Sequence, residues 1–236
     1  MAVAKTRPTG NADGTSVVLP TRTGKYGEAY NFPMGLGRYG WADEGSYYTV
    51  ASVIGTDITA HAAPAIADTE TKPLIHMFNG GSNDIYLDYI EMLTTIANAS
   101  ATAVAFRAYT DAKGATGRTG AGTALTPVNT RSNATNTSGA TVFAGAVTAV
   151  GTSPKLVYSR VIKEFIGVAL DRYSFSFGNG LVGNPTTSYT AGATAIVCYG
   201  PPIIIAPGGN LYFCQVSPSG AATAATFQFE MGFAER

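Results

Sequence analysis

Three carboxylates stand close together in the chain, at Asp84, Asp88 and Glu91. Two carboxyl groups about 5 to 9.5 Å apart across a cleft are the arrangement that hydrolyses glycosidic bonds. The segment that contains these residues alternates like a β-strand, and an odd spacing puts Asp88 and Glu91 on opposite faces of a regular strand. We therefore expect solvated sheet charges or inter-subunit ion pairs. A β-sandwich glycan hydrolase remains an alternative. It would be supported if the protein cleaved a polysaccharide and lost this activity when Asp88 or Glu91 was substituted.

Other residue types that could do chemistry are isolated. The two histidines, His61 and His76, lie 15 residues apart, whereas a metal-binding double-sheet barrel of the cupin kind needs clustered histidines. His76 falls in an alternating segment and is expected to be a half-buried sheet residue. No Gly-x-Ser-x-Gly elbow supports a serine nucleophile. The Gly-rich run at 114–122 lacks the Gly-Lys-Ser/Thr of a phosphate loop, and no helix follows it, so it is expected to be a surface loop.

The two cysteines, Cys198 and Cys214, fall in neighbouring predicted strands. They form either a disulfide between paired strands or two buried free thiols. We expect free thiols, because the N-terminus carries no apolar stretch typical of a secretory signal. Neither cysteine belongs to a Cys-x-x-Cys motif. The sequence thus predicts that the protein is not an enzyme and has no cofactor and no metal site.

Charge and hydropathy limit the partners. Charged residues make up 13% of the 236 residues against roughly 25% in an average soluble protein, while 45% are apolar. So few charges suggest that other chains cover much of the surface. The formal net charge is zero, which disfavours binding to nucleic acid or to an anionic membrane. No apolar run reaches the roughly 20 residues that span a bilayer, so we expect the protein to be made and assembled inside a cell.

The elements that would position any site are β-strands. The C-terminal segment 193–236 consists of three apolar runs rich in Val, Ile, Tyr and Phe, separated by Pro, Gly, Asn and Ser. Upstream, 85–97 and 102–110 are expected to form a hairpin, and 155–163 is a further strand. Nine or ten strands and no convincing long helix predict an all-β fold, a jelly-roll-like β-sandwich over residues 46–236.

Residues 1–45 differ from the rest of the chain. Gly and Pro interrupt this segment at short intervals, and residues 1–25 carry four basic residues against one acidic residue, a net charge of +3. Such a segment cannot bury enough apolar surface to fold alone. We expect an extended N-terminal arm with a contact role. The patch around the only tryptophan is either the place where this arm docks or an ordinary hydrophobic lid on the first sheet. The candidate assembly contacts are Arg7, Arg22, Lys25, Tyr39 and Trp41.

Two stretches carry a resemblance to a known family. They are KPLIHMFNGGSNDIYLDYIEML at 72–93 and PPIIIAPGGNLYFCQVSPSGAATAATFQFEMGFAER at 201–236, joined by a Gly/Thr/Asn-rich meander. In pattern the chain resembles the jelly-roll cement or decoration proteins on the capsids of tailed bacteriophages. The resemblance implies a trimer on the capsid surface that bridges neighbouring capsomers and binds the major capsid protein or other virion proteins. Extended arms often reach neighbouring subunits in such assemblies.

A rival interpretation is a binding module. A trimeric β-sandwich of the fibre-head or tail-associated type would recognise a host glycan or receptor. Aromatic residues in the loops at 111–126 and 133–139 would favour it, and the sequence has none there. The leading prediction is therefore a structural virion protein.

Overall fold

The computed structural model describes residues 37–52, 58–59, 73–96, 104–111, 122–145, 154–163, 170–178, 195–216 and 225–236. These residues form one short helix, α1 (Gly37–Asp43), and fourteen strands. The strands are β1 (Tyr47–Ala51), β2 (Ile58–Thr59), β3 (Ile75–Asn79), β4 (Ile85–Ile96), β5 (Val104–Asp111), β6 (Thr123–Leu125), β7 (Val128–Asn129), β8 (Ala140–Ala144), β9 (Lys155–Lys163), β10 (Arg172–Phe177), β11 (Ala195–Gly200), β12 (Ile203–Ile205), β13 (Asn210–Val216) and β14 (Thr226–Glu235).

The strands form two sheets packed face to face. One sheet has the order β11-β10-β4-β14-β1-β7, with β12 paired to β4 and β2 paired to β14. The other has the order β6-β8-β3-β13-β5-β9. Inward residues alternate with outward ones along most strands, as a sandwich requires. The prediction of an all-β sandwich is confirmed.

The strand order is that of a jelly roll. Four antiparallel pairs join early strands to late ones: β1 with β14, β3 with β13, β4 with β10, and β5 with β9. The early strands thus run against the late strands like one long hairpin that has been rolled up. This roll distributes its pairs between two sheets, which is the double-sheet architecture of jelly rolls.

Aromatic rings fill the space between the sheets. Phe106 of the six-stranded sheet lies at the centre, with ring-centroid distances of 5.1 Å to Tyr173 and 5.0 Å to Phe175. Phe213 and Phe227 contact the same ring at 5.6 and 6.0 Å. All five side chains are buried. Tilted and edge-to-face ring pairs add about 0.5–1.5 kcal/mol each beyond the burial of their area, so this cluster joins the two sheets.

The predicted hairpin of 85–97 with 102–110 is wrong. Both segments are strands, but β4 pairs with β14, β10 and β12, whereas β5 pairs with β13 and β9 in the opposite sheet. Alternation specifies a half-buried strand without specifying its partner, so it could not show that β4 and β5 belong to different sheets. The predicted nine or ten strands are also fewer than the fourteen among the described residues, because short strands such as β6, β7 and β12 lack a full alternating pattern.

Residues 37–43, which were predicted to be extended, form the helix α1. Its last turn is closed by backbone hydrogen bonds from Glu44 to Gly40 and from Gly45 to Ala42. Gly45 has φ 71°, the left-handed conformation in which glycine ends helices without a steric cost. The chain divides into two units, Met1–Tyr39 and Gly40–Arg236. No helix among the described residues is long and apolar enough to cross a membrane.

Cys198 and Cys214 are both buried, and neither forms a disulfide. The expectation of free thiols is confirmed, but the expectation of neighbouring strands is wrong. Cys198 belongs to β11 of the eight-stranded sheet and Cys214 to β13 of the six-stranded sheet. Burial raises the pKa of the Cys198 thiol, which keeps it protonated and unreactive.

Candidate functional site

The predicted assembly contacts fall largely outside the described residues. Arg7, Arg22 and Lys25 all lie there, as does the side chain of Tyr39, whose backbone belongs to α1. Trp41 is described and half-buried, and its ring centroid lies 6.5 Å from that of Tyr86 on β4. Its packing there fits the hydrophobic-lid alternative, while its contact role stays a prediction.

An exposed apolar pair marks one end of the eight-stranded sheet. Ile96 ends β4 with 58% of its surface exposed, and Leu170 precedes β10 with 63% exposed. The Leu170 amide donates to the Thr94 carbonyl at 2.7 Å, which places Leu170 beside the end of β4. Leu170 also has φ 72°, the only left-handed conformation of a non-glycine residue among the described residues. We call these two residues the apolar tip.

A β-bulge at Asp88 changes the faces of β4. Leu87 pairs with Phe233 and Tyr89 with Gly232, so Asp88 is the extra residue. The Asp88 carboxylate accepts a hydrogen bond from the Tyr47 hydroxyl at 2.6 Å and is buried on the outer side of the sheet. The prediction that Asp88 and Glu91 face opposite ways is therefore wrong, because the bulge breaks the alternation on which it depended.

Two tyrosines cover a glycine beside this bulge. A Cβ placed on Gly232 would lie 2.5 Å from the Tyr47 hydroxyl oxygen and closer still to Tyr89 Cε1, well inside van der Waals contact. Glycine is therefore required where Tyr47 and Tyr89 lie over β14. The Tyr89 hydroxyl in turn donates to Glu230 at 2.5 Å. Burial, then this hydrogen bond and the charges of Glu230, Glu91 and Asp88, raise the pKa of Tyr89.

Next to Tyr89 lies a groove on the outer face of the eight-stranded sheet. Its volume is about 470 Å³, and its walls come from β1, β4, β10, β11 and β14 together with Ser52. One row of paired residues crosses it from Ala51 through Glu230, Glu91 and Ser174 to Val197. The neighbouring row contains the polar side chains Gln228 and Arg172. We call this feature the polar groove; its polar walls are Ser52, Glu91, Arg172, Ser174, Gln228 and Glu230.

The carboxylates of the polar groove are directly opposed. Glu91 and Glu230 are register partners on β4 and β14, and directly opposed residues have Cβ atoms about 4.5–5.5 Å apart. Like charges in this position are destabilising. Arg172 lies two residues along β10 from Ser174, the partner of Glu91, which is within reach of a long side chain. The groove therefore holds both signs of charge on exposed side chains.

Sequence reasoning singled out Glu91 but missed Glu230 and Arg172. Tyr89 and Glu230 are 141 residues apart in the chain, and only the register of β4 with β14 brings them together. No local signal reports such a register.

The other candidates do not form a site. His76 is fully buried rather than half-buried; its Nε2 lies 2.9 Å from Asn210 Oδ1, and its ring stacks on Tyr212 at 5.1 Å. Asp84 pairs its backbone with Arg236 at the C-terminus, away from the groove. His61 and most of the run 114–122 lie outside the described residues. Across the described ranges, no three His, Cys, Asp or Glu side chains are grouped to hold a metal ion.

No family model, no curated protein and no solved structure matches this chain.

Proposed function

We propose that this chain is a structural subunit of a tailed-phage virion, a cement protein that stabilises the head by bridging neighbouring capsomers. It acts as a homo-oligomer, a trimer, on the capsid surface, and its partners are the major capsid protein or other virion proteins. The observation that carries the proposal is the apolar tip, Ile96 and Leu170, at one end of the sandwich.

Leu170 is costly to the isolated domain in two ways. A left-handed conformation costs a residue with a Cβ roughly 1–2 kcal/mol relative to glycine. Its side chain also gains little from the hydrophobic effect, because 63% of its surface is exposed. Strained backbone that presents a specific side chain is a feature of functional sites. Burial against another chain is the use that an exposed aliphatic pair most directly serves.

The rest of the chain is compatible with this use. A charged fraction of 13% suits a protein whose surface is covered in an assembly. Jelly rolls recur in viral capsids and in lectins, which is a likeness of fold and carries no function by itself. A cement subunit contributes buried interface across a joint and needs area and shape rather than catalysis.

The substitution Leu170→Asn tests the proposal. Asparagine tolerates the left-handed conformation and removes the exposed aliphatic side chain. We expect the variant to gain about 1 kcal/mol of stability, a rise of about 2–4 °C in melting temperature for a domain of this size. We expect it at the same time to assemble less well, measured by light scattering as a loss of the species with three chains of 24.4 kDa, about 73 kDa.

Leu170→Ala is the matched control. It removes the same contacts, but alanine lacks the short side-chain amide that lets asparagine adopt the left-handed conformation, so the strain remains and the variant should lose assembly without gaining stability. Assembly of Leu170→Asn to the same extent as the original chain would contradict the role of the apolar tip.

A further inference from the structure

The polar groove has the size and composition of a ligand site. Small-molecule sites are concavities of about 300–1,000 Å³ with a few convergent polar groups, and the groove measures about 470 Å³. It lies on regular strands of a sheet whose other face is packed against the core. Its polar side chains are therefore held on a rigid surface, as binding with defined geometry requires.

The opposed carboxylates are not explained by the fold. Glu91 and Glu230 repel each other across β4 and β14. Tyr89 supplies one donor, to Glu230, with an oxygen-to-oxygen distance of 2.5 Å. The described residues form no hydrogen bond or ion pair with the Glu91 carboxylate or with the Arg172 guanidinium. Both side chains are exposed on the wall of the groove, where a ligand can reach them.

The charges of the groove select the class of ligand. A phosphate or another anion would meet Glu91 and Glu230, and a cationic peptide would meet Arg172. A neutral polyol meets neither obstacle, because each hydroxyl both donates and accepts a hydrogen bond. Carboxylates would accept from vicinal hydroxyls, while the guanidinium, with five donors in a planar fork, would donate to hydroxyl or ring oxygens.

Aromatic surface lies beside the polar row. Tyr89, Ser176 and Tyr199 form the next row across β4, β10 and β11, and both tyrosines are half-buried. Val197 is exposed at the edge of the groove. Aromatic rings with an apolar face and a polar tip suit the mixed apolar and hydroxylated faces of sugar rings.

We propose that the polar groove binds a neutral glycan, with Glu91 and Arg172 making the direct polar contacts and Tyr89 positioning Glu230. The proposal is binding without cleavage, because the two carboxylates lie side by side on one exposed sheet face, whereas a glycosidase holds its pair on either side of the scissile bond. This activity is separate from bridging between capsomers and does not require it.

The first experiment places the purified full-length protein on an array of neutral, anionic and cationic glycans, and then measures the best neutral glycan by calorimetry. Glu91→Gln and Arg172→Gln should each lower the affinity about tenfold or more, because each removes a charged hydrogen-bonding group. Glu44→Gln and Arg236→Gln are matched controls: this pair is exposed, forms its own ion pair at 2.7 Å outside the groove, and should change the affinity less than about twofold.

Tyr89→Phe tests the positioning role. It removes only the hydroxyl that donates to Glu230, so it should weaken binding less than Glu91→Gln does and leave the order of preference among glycans unchanged. Glu230→Gln should have the same effect as Tyr89→Phe. Absence of binding to every neutral glycan would overturn the proposal, as would equal affinity of Glu91→Gln and the original chain. Preferential capture of cationic peptides, or release of reducing ends from the bound glycan, would also overturn it.

Discussion

Gly232 offers the sharpest test of the packing on the outer face of the eight-stranded sheet. Alanine at this position would place its Cβ 2.5 Å from the Tyr47 hydroxyl and 2.9 Å from Tyr89 Cδ1, with Tyr89 Cε1 closer still. Both tyrosines would have to move. Tyr47 would then lose its 2.6 Å hydrogen bond to the buried Asp88 carboxylate.

The magnitude follows from these contacts. Overpacking of a well-packed site costs about 1–3 kcal/mol, and a weakened bond to a buried charged group adds to it. The gain from replacing a strand glycine by alanine offsets about 0.5–1 kcal/mol. We expect Gly232→Ala to lose about 2 kcal/mol of unfolding free energy, which lowers the melting temperature by about 4–8 °C.

Thermal unfolding followed by circular dichroism measures the effect, and urea unfolding gives the free energy. Gly40→Ala is the matched control, because a Cβ on Gly40 meets nothing within 4 Å and the residue lies in α1; it should be neutral or stabilising. In a Tyr89→Ala background, part of the cost of Gly232→Ala should disappear, since one of the two obstructing rings is gone. A melting temperature of Gly232→Ala equal to that of the original chain would refute this account of the packing.

Two further predictions concern titration and thiols. Burial, and then the Cys198 thiol beside it, raises the pKa of Tyr158 above its ordinary value near 10. The folded state therefore holds this proton more tightly than the unfolded chain, so the stabilisation is complete below about pH 10 and is lost as the pH rises further. Tyr158→Phe should flatten the alkaline part of the curve of unfolding free energy against pH. An unchanged slope would contradict this. Cys198 and Cys214 are buried in different sheets, so a thiol reagent should modify them only as fast as the domain opens. Rapid modification of both thiols in the folded protein would contradict their burial.

Local features of the fold could be predicted from the sequence. The strand at 155–163 has the predicted bounds, and β4 ends one residue before the predicted end at Ala97. These successes share a cause, because alternation and turn residues act within a few positions of each other. The pattern therefore identifies a half-buried strand without reference to the rest of the chain.

Pairing and register could not be predicted in the same way. The polar groove requires β4 to lie between β10 and β14 with Glu91 opposite Glu230, which the tertiary fold decides. The bulge at Asp88 then reverses the expected face of one carboxylate, and no local residue pattern announces it. The left-handed conformation of Leu170 is a third example, since leucine is a residue from which this conformation is not expected.

The proposal implies a gene of a tailed phage, and its most direct test uses heads assembled from that phage's genome without the gene. Purified protein is added to these heads, and the bound copies per head and the temperature of genome release are measured. The proposal predicts saturable binding in multiples of three chains and a higher release temperature, with both effects reduced by Leu170→Asn. Heads that take up no protein, and whose release temperature does not change, would contradict it.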